Sequence, residues 1–396
     1  MAWTDVILVL LGLPIIAAAL YLGVLTLASL KLPPLQLQAA QRTTRVAFVV
    51  PAHDEALGIA ATVQSLAATD WPMEARRIVV VADNCGDDTA RNALAAGAQV
   101  IERFDLGRRG KGYALALAFS KLLDEAWAEA VIVVDADSVV SPNIVEAVVA
   151  HLQKPGGWGA VQVFYGVRNP SASWRTELMT IALAIFHRLR GRARARLNMS
   201  TKLNGNGMGF SAAALRRVPY QAFSIAEDLE YGIALVRAGI RIAYADEASI
   251  SAEMVSQSDR AISQRDRWDG GRASMRREYG WPLAAEALRR PNLERFDLAL
   301  EVLIPPLSAV VAALAGWSLV AAIAGFWAGW PPLATLLGML AWLSLLAYVL
   351  RGVMLSGLGW SGLRALAFAP AYIIWTLALR LRRRRTLTDW VRTERE

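Results

Sequence analysis

Short aliphatic runs that stop on acidic residues alternate with amphipathic stretches through the middle of the chain, and long uncharged apolar stretches bracket it at both ends. Val131-Ile132-Val133-Val134 is followed at once by Asp135-Ala136-Asp137. Four consecutive aliphatics predict a strand buried on both faces, with the acids at its carboxyl end, where open α/β sheets hold ligands. Arg45 to Val50 predicts a second strand, ending at Pro51-Ala52-His53-Asp54-Glu55. Ile78 to Ala82 predicts a third, ending at Asp83-Asn84-Cys85-Gly86-Asp87-Asp88-Thr89. These ends are expected on one sheet edge, within an α/β domain over residues 40–292.

The bracketing stretches belong in lipid. Val6 to Leu30 carries no charge over 25 residues, and at about 1.5 Å per helical residue it crosses a hydrocarbon core of roughly 30 Å. A cleaved signal peptide fits less well, since Met1 to Asp5 has no Lys or Arg and the apolar run is long. Val302 to Phe326 and Leu333 to Leu350 predict two further crossings joined by a turn at Trp327 to Pro332. Arg364 splits the remaining apolar stretch into pieces too short to span, and Pro370 interrupts the second, which reads as re-entrant or interfacial. Basic residues follow the first span at Lys31, Arg42 and Arg45 and close the chain at Arg382 to Arg385, predicting a cytoplasmic α/β domain and tail. The expected organisation is a membrane helix over 1–32, the α/β domain, a membrane region over 297–381 and a basic tail over 382–396.

Composition agrees: 55% of residues are hydrophobic and the mean hydropathy is +0.34, more apolar than a wholly soluble enzyme. The net charge of +8 points to anionic lipid at the membrane surface; no nucleic-acid motif or aromatic stacking platform accompanies it. For the run Arg188, Arg190, Arg192, Arg194 and Arg196, a solvated basic helix accounts for the pattern as well as lipid contact does. A single cysteine, Cys85, excludes an intrachain disulfide framework and reads as a packing residue.

The chemistry-bearing motifs lie between the spans. Asp135 and Asp137 suit a hard divalent cation, Mg²⁺ or Mn²⁺, that offsets charge on a departing diphosphate. Gly107-Arg108-Arg109-Gly110-Lys111-Gly112 before a helix suits a phosphate group, with Lys111 the contact, although an exposed turn explains it equally well. Asp83 reads either as a ligand contact or as a turn and capping residue. Asn204 to Phe210 is a glycine-rich segment that lets backbone approach a bulky ligand, with Gly205 and Asn206 as candidate contacts. Ser224 and Glu227 predict a capping box, which leaves Asp228 the carboxylate without a structural explanation. Gln264, Arg267 and Trp268 share one helical face, joining an amide, a phosphate-binding fork and an indole able to pack on a sugar.

In order and approximate spacing, Val49 to Glu55, Asp83, Asp135-Ala136-Asp137, Glu227-Asp228 and Gln264-Arg265-Asp266-Arg267-Trp268 resemble glycosyltransferase family 2, particularly its membrane-bound branch of cellulose, hyaluronan and poly-N-acetylglucosamine synthases and ceramide glucosyltransferase. The resemblance covers most of the chain. It implies a GT-A (Rossmann-like) α/β fold and an inverting, metal-dependent hexosyltransferase with a nucleotide-sugar donor, UDP-linked, in a bacterial inner membrane. By it Asp228 is the catalytic base and Asp135 and Asp137 hold the metal. Pro51, His53, Glu55, Asp83, Lys111, Asp135 and Arg267 face the donor; Gly205, Asn206, Glu227, Gln264 and Trp268 face the acceptor. Ala226 departs from the family, in which many members carry Thr before the Glu-Asp pair, and the ending Asp389 to Arg395 is similar to the tail of bacterial members. The expected acceptor is a growing polysaccharide or glycan, processively extended; a membrane lipid glycosylated once is the alternative. Three spans are few for a polymer channel, so an accessory membrane subunit is expected with the first reading. A nucleotidyltransferase leaves the Gln264 to Trp268 grouping unexplained, and a membrane scaffold leaves the ordered acids unexplained.

Overall fold

The computed structural model describes residues 3–31, 42–254, 270–289 and 291–382. Its strands are β1 (Val46–Ala52), β2 (Arg76–Asp83), β3 (Gln99–Arg103), β4 (Ala130–Val133), β5 (Ser138–Val140), β6 (Trp158–Val167), β7 (Met208–Ser211) and β8 (Arg241–Ala252). They form one sheet in the order β3-β2-β1-β4-β7-β6-β8-β5. Period-2 alternation divides the aliphatic runs between two cores. Val46, Phe48, Val50, Ile132 and Val134 face one cluster; Ala47, Val49, Val131 and Val133 face the other. Burial on both sides is why these strands read as unbroken apolar runs.

β1 pairs in parallel with β2 on one side and β4 on the other, and β2 with β3. Strand order therefore reverses direction between β1 and β4, opening the crevice where such sheets take ligands. Glu55 and Asp135 stand beyond the carboxyl ends of these two strands.

The helices are α1 (Trp3–Ala28), α2 (Ile59–Ala67), α3 (Thr89–Ala95), α4 (Lys111–Glu125), α5 (Ile144–Leu152), α6 (Trp174–Leu183), α7 (Arg190–Arg196), α8 (Ala212–Arg217), α9 (Glu227–Arg237), α10 (Trp281–Arg289), α11 (Leu293–Leu303), α12 (Leu307–Ala328), α13 (Pro332–Ser356), α14 (Trp360–Ala365) and α15 (Ala369–Arg382). Three of them, α1, α12 and α13, are long and apolar enough to cross a membrane. Pro305 and Pro306 separate α11 from α12, so the second candidate span starts at Leu307 and not at Val302. α14, and α15 within the described residues, are shorter than a crossing. Stacking of Trp174 on Phe368 at 5.2 Å ties this C-terminal segment to α6.

A wide-turned π segment, Ala184–Leu189, joins α6 to α7 and packs on the apolar helices. Gly352 of α13 meets Ile185 so closely that any side chain there would collide with it. At the opposite end of α13, the Asp5 carboxylate accepts the Ala334 amide at 2.9 Å and the Leu333 amide at 3.2 Å. It thus caps α13 from a different helix.

Of the arginine run, Arg196 is exposed, whereas Arg188, Arg190, Arg192 and Arg194 are taken up by ion pairs inside the protein. Arg190 and Arg194 are 4% and 1% exposed. Arg194 donates to Asp297 at 2.7 Å and to Glu301 at 2.8 Å, and Arg190 Nη1 donates to both Glu301 oxygens at 2.8 Å. Arg188 and Arg192 bind Asp246 at 2.9 and 3.0 Å. The partners lie from about fifty to more than a hundred residues away in sequence, so nothing local to the run announces them.

Candidate active site

At the crevice, Asp83 ends β2 with its side chain 8% exposed, bound by Arg103 at 2.6 Å. His53 Nδ1 donates to the Asp83 carbonyl at 2.6 Å, tying the β1 end to the β2 end. Asp54 and Asn84 hold left-handed backbone conformations, φ 52° and 53°. The Asp54 carboxylate accepts the Gly86 amide at 2.7 Å and the Glu55 amide donates to Thr89 Oγ1 at 2.7 Å. Cys85 sits within this turn network, half-buried, where burial raises its thiol pKa.

Lys111 opens α4 after Gly110, whose φ of 126° suits glycine. Its ammonium donates to Asp135 Oδ1 and to the Gly205 carbonyl, both at 2.5 Å. Burial lowers its pKa, but Asp135 and Glu227 raise it by more, so the charge is retained. Gly112, one residue on, faces the Ala222 carbonyl with no room for a side chain, which fixes α4 against the segment leading to Asp228.

Asn206 is 1% exposed. Its Oδ1 accepts the Asp135 amide at 3.0 Å and its Nδ2 donates to Ser138 Oγ at 2.8 Å, while Ser138 Oγ donates to Asp137 Oδ1 at 3.2 Å. The side chain expected to touch the acceptor therefore braces the Asp135-Ala136-Asp137 turn, because a buried amide must satisfy its own hydrogen bonds. Asp135 stays 31% exposed. Two carboxylates at a strand end, one partly open to solvent, supply the hard oxygen donors a divalent cation takes.

The Ser224–Glu227 capping box does not form. Ala226 occupies the N-cap position of α9 without a side-chain cap, and the Ser224 amide donates to Glu230 at 3.1 Å. Glu227 is released to the cleft, where burial pushes its carboxyl up to about 8, against Lys111 and reinforced by Asp228. Asp228 accepts the Leu229 amide at 2.8 Å. Burial raises its pKa too, opposed by that amide and by Lys202, Lys111 and Arg272. The helix dipole alone would have made it a weaker base. Gly205, at φ 77°, brings backbone beside both groups: a Cβ there would lie 3.6 Å from Asp228 Oδ2 and 3.7 Å from Lys111 Nζ.

Pro51, His53, Glu55, Asp83, Lys111, Asp135, Asp137, Gly205, Glu227 and Asp228 thus line one cleft of about 980 Å³. Gln264, Arg267 and Trp268, with the tail from Arg383 on, lie outside the described residues. The same cleft takes in Lys202, Arg272 and Glu301 and, from the apolar helices and the π segment, Ile185, Val311 and Val349 with the ring of Tyr372. Sequence reasoning missed this part of it, since Lys202 and Glu301 stand in no motif.

Residues 44–271 match the model of the family described as "Glycosyltransferase like family 2". Among curated proteins, the β-monoglucosyldiacylglycerol synthase of Synechocystis sp. is 25% identical over 273 residues, 67% of this chain and 56% of its own length. The chain therefore spans about half the length of that relative. Among solved structures, the mannosyltransferase PcManGT of Pyrobaculum calidifontis, in complex with GDP-Man and Mn²⁺, covers 88% of this chain and 99% of its own at 20% identity, with a TM-score of 0.54. That likeness concerns the fold.

Proposed function

Because the chain belongs to the glycosyltransferase-like family 2, we propose that it moves a sugar from a nucleoside-diphosphate sugar to a hydroxyl of a membrane lipid, once per acceptor and with inversion at the anomeric carbon. The observation that carries this reading is the continuity of the cleft from the acids at β1 and β4, past Asp228, to walls of Ile185, Val311, Val349 and Tyr372. An apolar wall leading to candidate spans suits acyl chains, whereas a polymer needs a polar pore. The diacylglycerol-based name of the Synechocystis relative supports the same acceptor class.

In this mechanism Asp228 takes the acceptor proton as that oxygen attacks the anomeric carbon and the bond to the diphosphate breaks. Its raised pKa, from burial, makes it a better base than an exposed aspartate. Lys111, anchored on Asp135 and the Gly205 carbonyl, holds a positive charge near the departing diphosphate. Pro51, His53, Glu55 and Asp83 wall the nucleotide end. Asp135 and Asp137 fit Mg²⁺ or Mn²⁺, which when bound offsets charge on the leaving group. The α/β domain faces the cytoplasm, with α1, α12 and α13 as spans and α14 and α15 at the interface.

The test is product analysis with full-length protein in nanodiscs of mixed bacterial lipids, labelled UDP- and GDP-sugars, and Mn²⁺. A solvent-extractable lipid bearing one sugar is expected. A water-soluble ladder of sugars would replace this reading with the polysaccharide one.

A further inference from the structure

Three cations meet on one aromatic ring where the cleft turns toward the apolar helices. The Phe186 centroid lies 4.7 Å from the Arg190 guanidinium, 4.9 Å from that of Arg272 and 5.7 Å from Lys202 Nζ. Each distance is within cation–π range. Phe186 and all three cations line the cleft, and Phe186 is carried by the π segment between α6 and α7.

Their negative partners are too few. Glu301 is bound by Arg190 at 2.8 Å, is shared with Arg194 at 2.8 Å and stands 3.5 Å from Lys202. Arg194 also takes Asp297. With Arg272 added, four cations face Glu301, Asp297 and the more distant Asp228, so positive charge is in excess here among the described residues. Lys202 registers the excess: burial, and then Arg272, push its pKa down to about 7. Uncompensated charge in a low-dielectric wall is costly, and an arriving anion relieves it. With Nε on the Tyr348 hydroxyl and Nη1 on Glu301, Arg190 keeps Nη2 for an anion, and beside the Arg272 guanidinium and the Lys202 ammonium it offers donors that match phosphate oxygens.

Position assigns the anion to the acceptor side. Lys202 and Arg272 are near enough to Asp228 to oppose the rise of its carboxyl pKa, and Phe186 follows Ile185 of the apolar wall in the π segment, whereas Asp83 and Asp135 stand at the sheet edge. The geometry points to a site for the phosphate of an anionic acceptor lipid, held by Arg190, Lys202 and Arg272 around Phe186, with the lipid's hydroxyl toward Asp228 and its tails toward the candidate spans. This deepens the lipid-acceptor reading and rests on it. Glu301 and Phe186 act as positioning residues, one keeping the cations together and the other giving them a common floor.

Binding, not turnover, tests it, so that failure of the transfer reading and failure of this one stay distinguishable. Full-length protein in neutral detergent is titrated calorimetrically with dioctanoyl phosphatidic acid, dioctanoylglycerol and inorganic phosphate, and separately with UDP and GDP plus Mn²⁺. Phosphatidic acid is expected to bind at least tenfold tighter than dioctanoylglycerol and tighter than inorganic phosphate. Arg272→Gln and Lys202→Met should erase that preference while leaving nucleotide affinity within twofold, and Arg272→Lys should restore part of it. Equal binding of the two lipids by the unaltered protein overturns the site. So does a phosphatidic acid preference that survives Arg272→Gln. Loss of nucleotide affinity with unchanged lipid preference gives these cations to the donor diphosphate, and inorganic phosphate binding as tightly as phosphatidic acid reduces the site to one for free anion.

Discussion

The donor end and the membrane end of the cleft hold charge in opposite ways. At the donor end the acids stand on strand ends beside one or two nearby partners: Arg103 for Asp83, Lys111 for Asp135, the Gly86 amide for Asp54. Asp135 remains partly open to solvent, so exchanging its counter-ion costs little. At the membrane end Arg190, Arg194 and Glu301 are shut away from water and bind helices far apart in sequence. Desolvation makes that cluster expensive to disturb. The partly open acids at one end can exchange partners, the Arg190–Glu301–Arg194 pairs at the other stay in place, and Asp228, the proposed base, feels cations of both ends in Lys111, Lys202 and Arg272.

Substitutions can break or sharpen this contrast. Asp228→Asn keeps the shape of the junction and removes its base; kcat is expected to fall by about 10²–10⁴, with nucleotide affinity unchanged by calorimetry. Transfer within tenfold of the unaltered enzyme would take the base role from Asp228. Glu301→Gln leaves Arg190, Arg194 and Lys202 against one another and should destabilise the fold by roughly 3–5 kcal/mol, read as a lowered thermal midpoint. Asp135→Asn, which leaves Lys111 on the Gly205 carbonyl and near Glu227, should destabilise less than Glu301→Gln, and equal losses from the two would erase the distinction. The smallest effect concerns pH. Glu227 is raised to about 8 and Asp228 is raised with it, so near neutral pH the pair retains a proton. kcat/KM should therefore fall as pH drops, with its acid limb above the ordinary carboxylate range. Glu227→Gln replaces a carboxyl that holds its proton near neutral pH with a neutral amide and should leave that limb in place; a limb that moves to lower pH would show Glu227 to be charged beside Asp228.

What the amino-acid sequence makes legible is local. Parallel strands buried on both faces leave unbroken aliphatic runs, so the ends at Glu55, Asp83 and Asp135 stand out along the chain, as do the long apolar stretches. What escapes depends on distance or on competition. Nothing around Arg190 signals Glu301. Ser224 and Glu227 have capping-box spacing, yet Glu230 takes the Ser224 amide and Glu227 turns into the cleft. Asn206 stands in a loop that reads as ligand-facing, but the Asp135 amide claims its side chain.

The Asp5 cap carries a consequence for how the protein is made. The carboxylate belongs to the first apolar helix, whereas the amides it satisfies, Leu333 and Ala334, leave the ribosome more than three hundred residues later. At roughly 5–20 residues per second, the acid waits tens of seconds for its partners. Until then the acid must be satisfied by water, so the first helix forms without the contact that Asp5 makes in the finished fold. Its final seating is set by a segment synthesised more than three hundred residues after it.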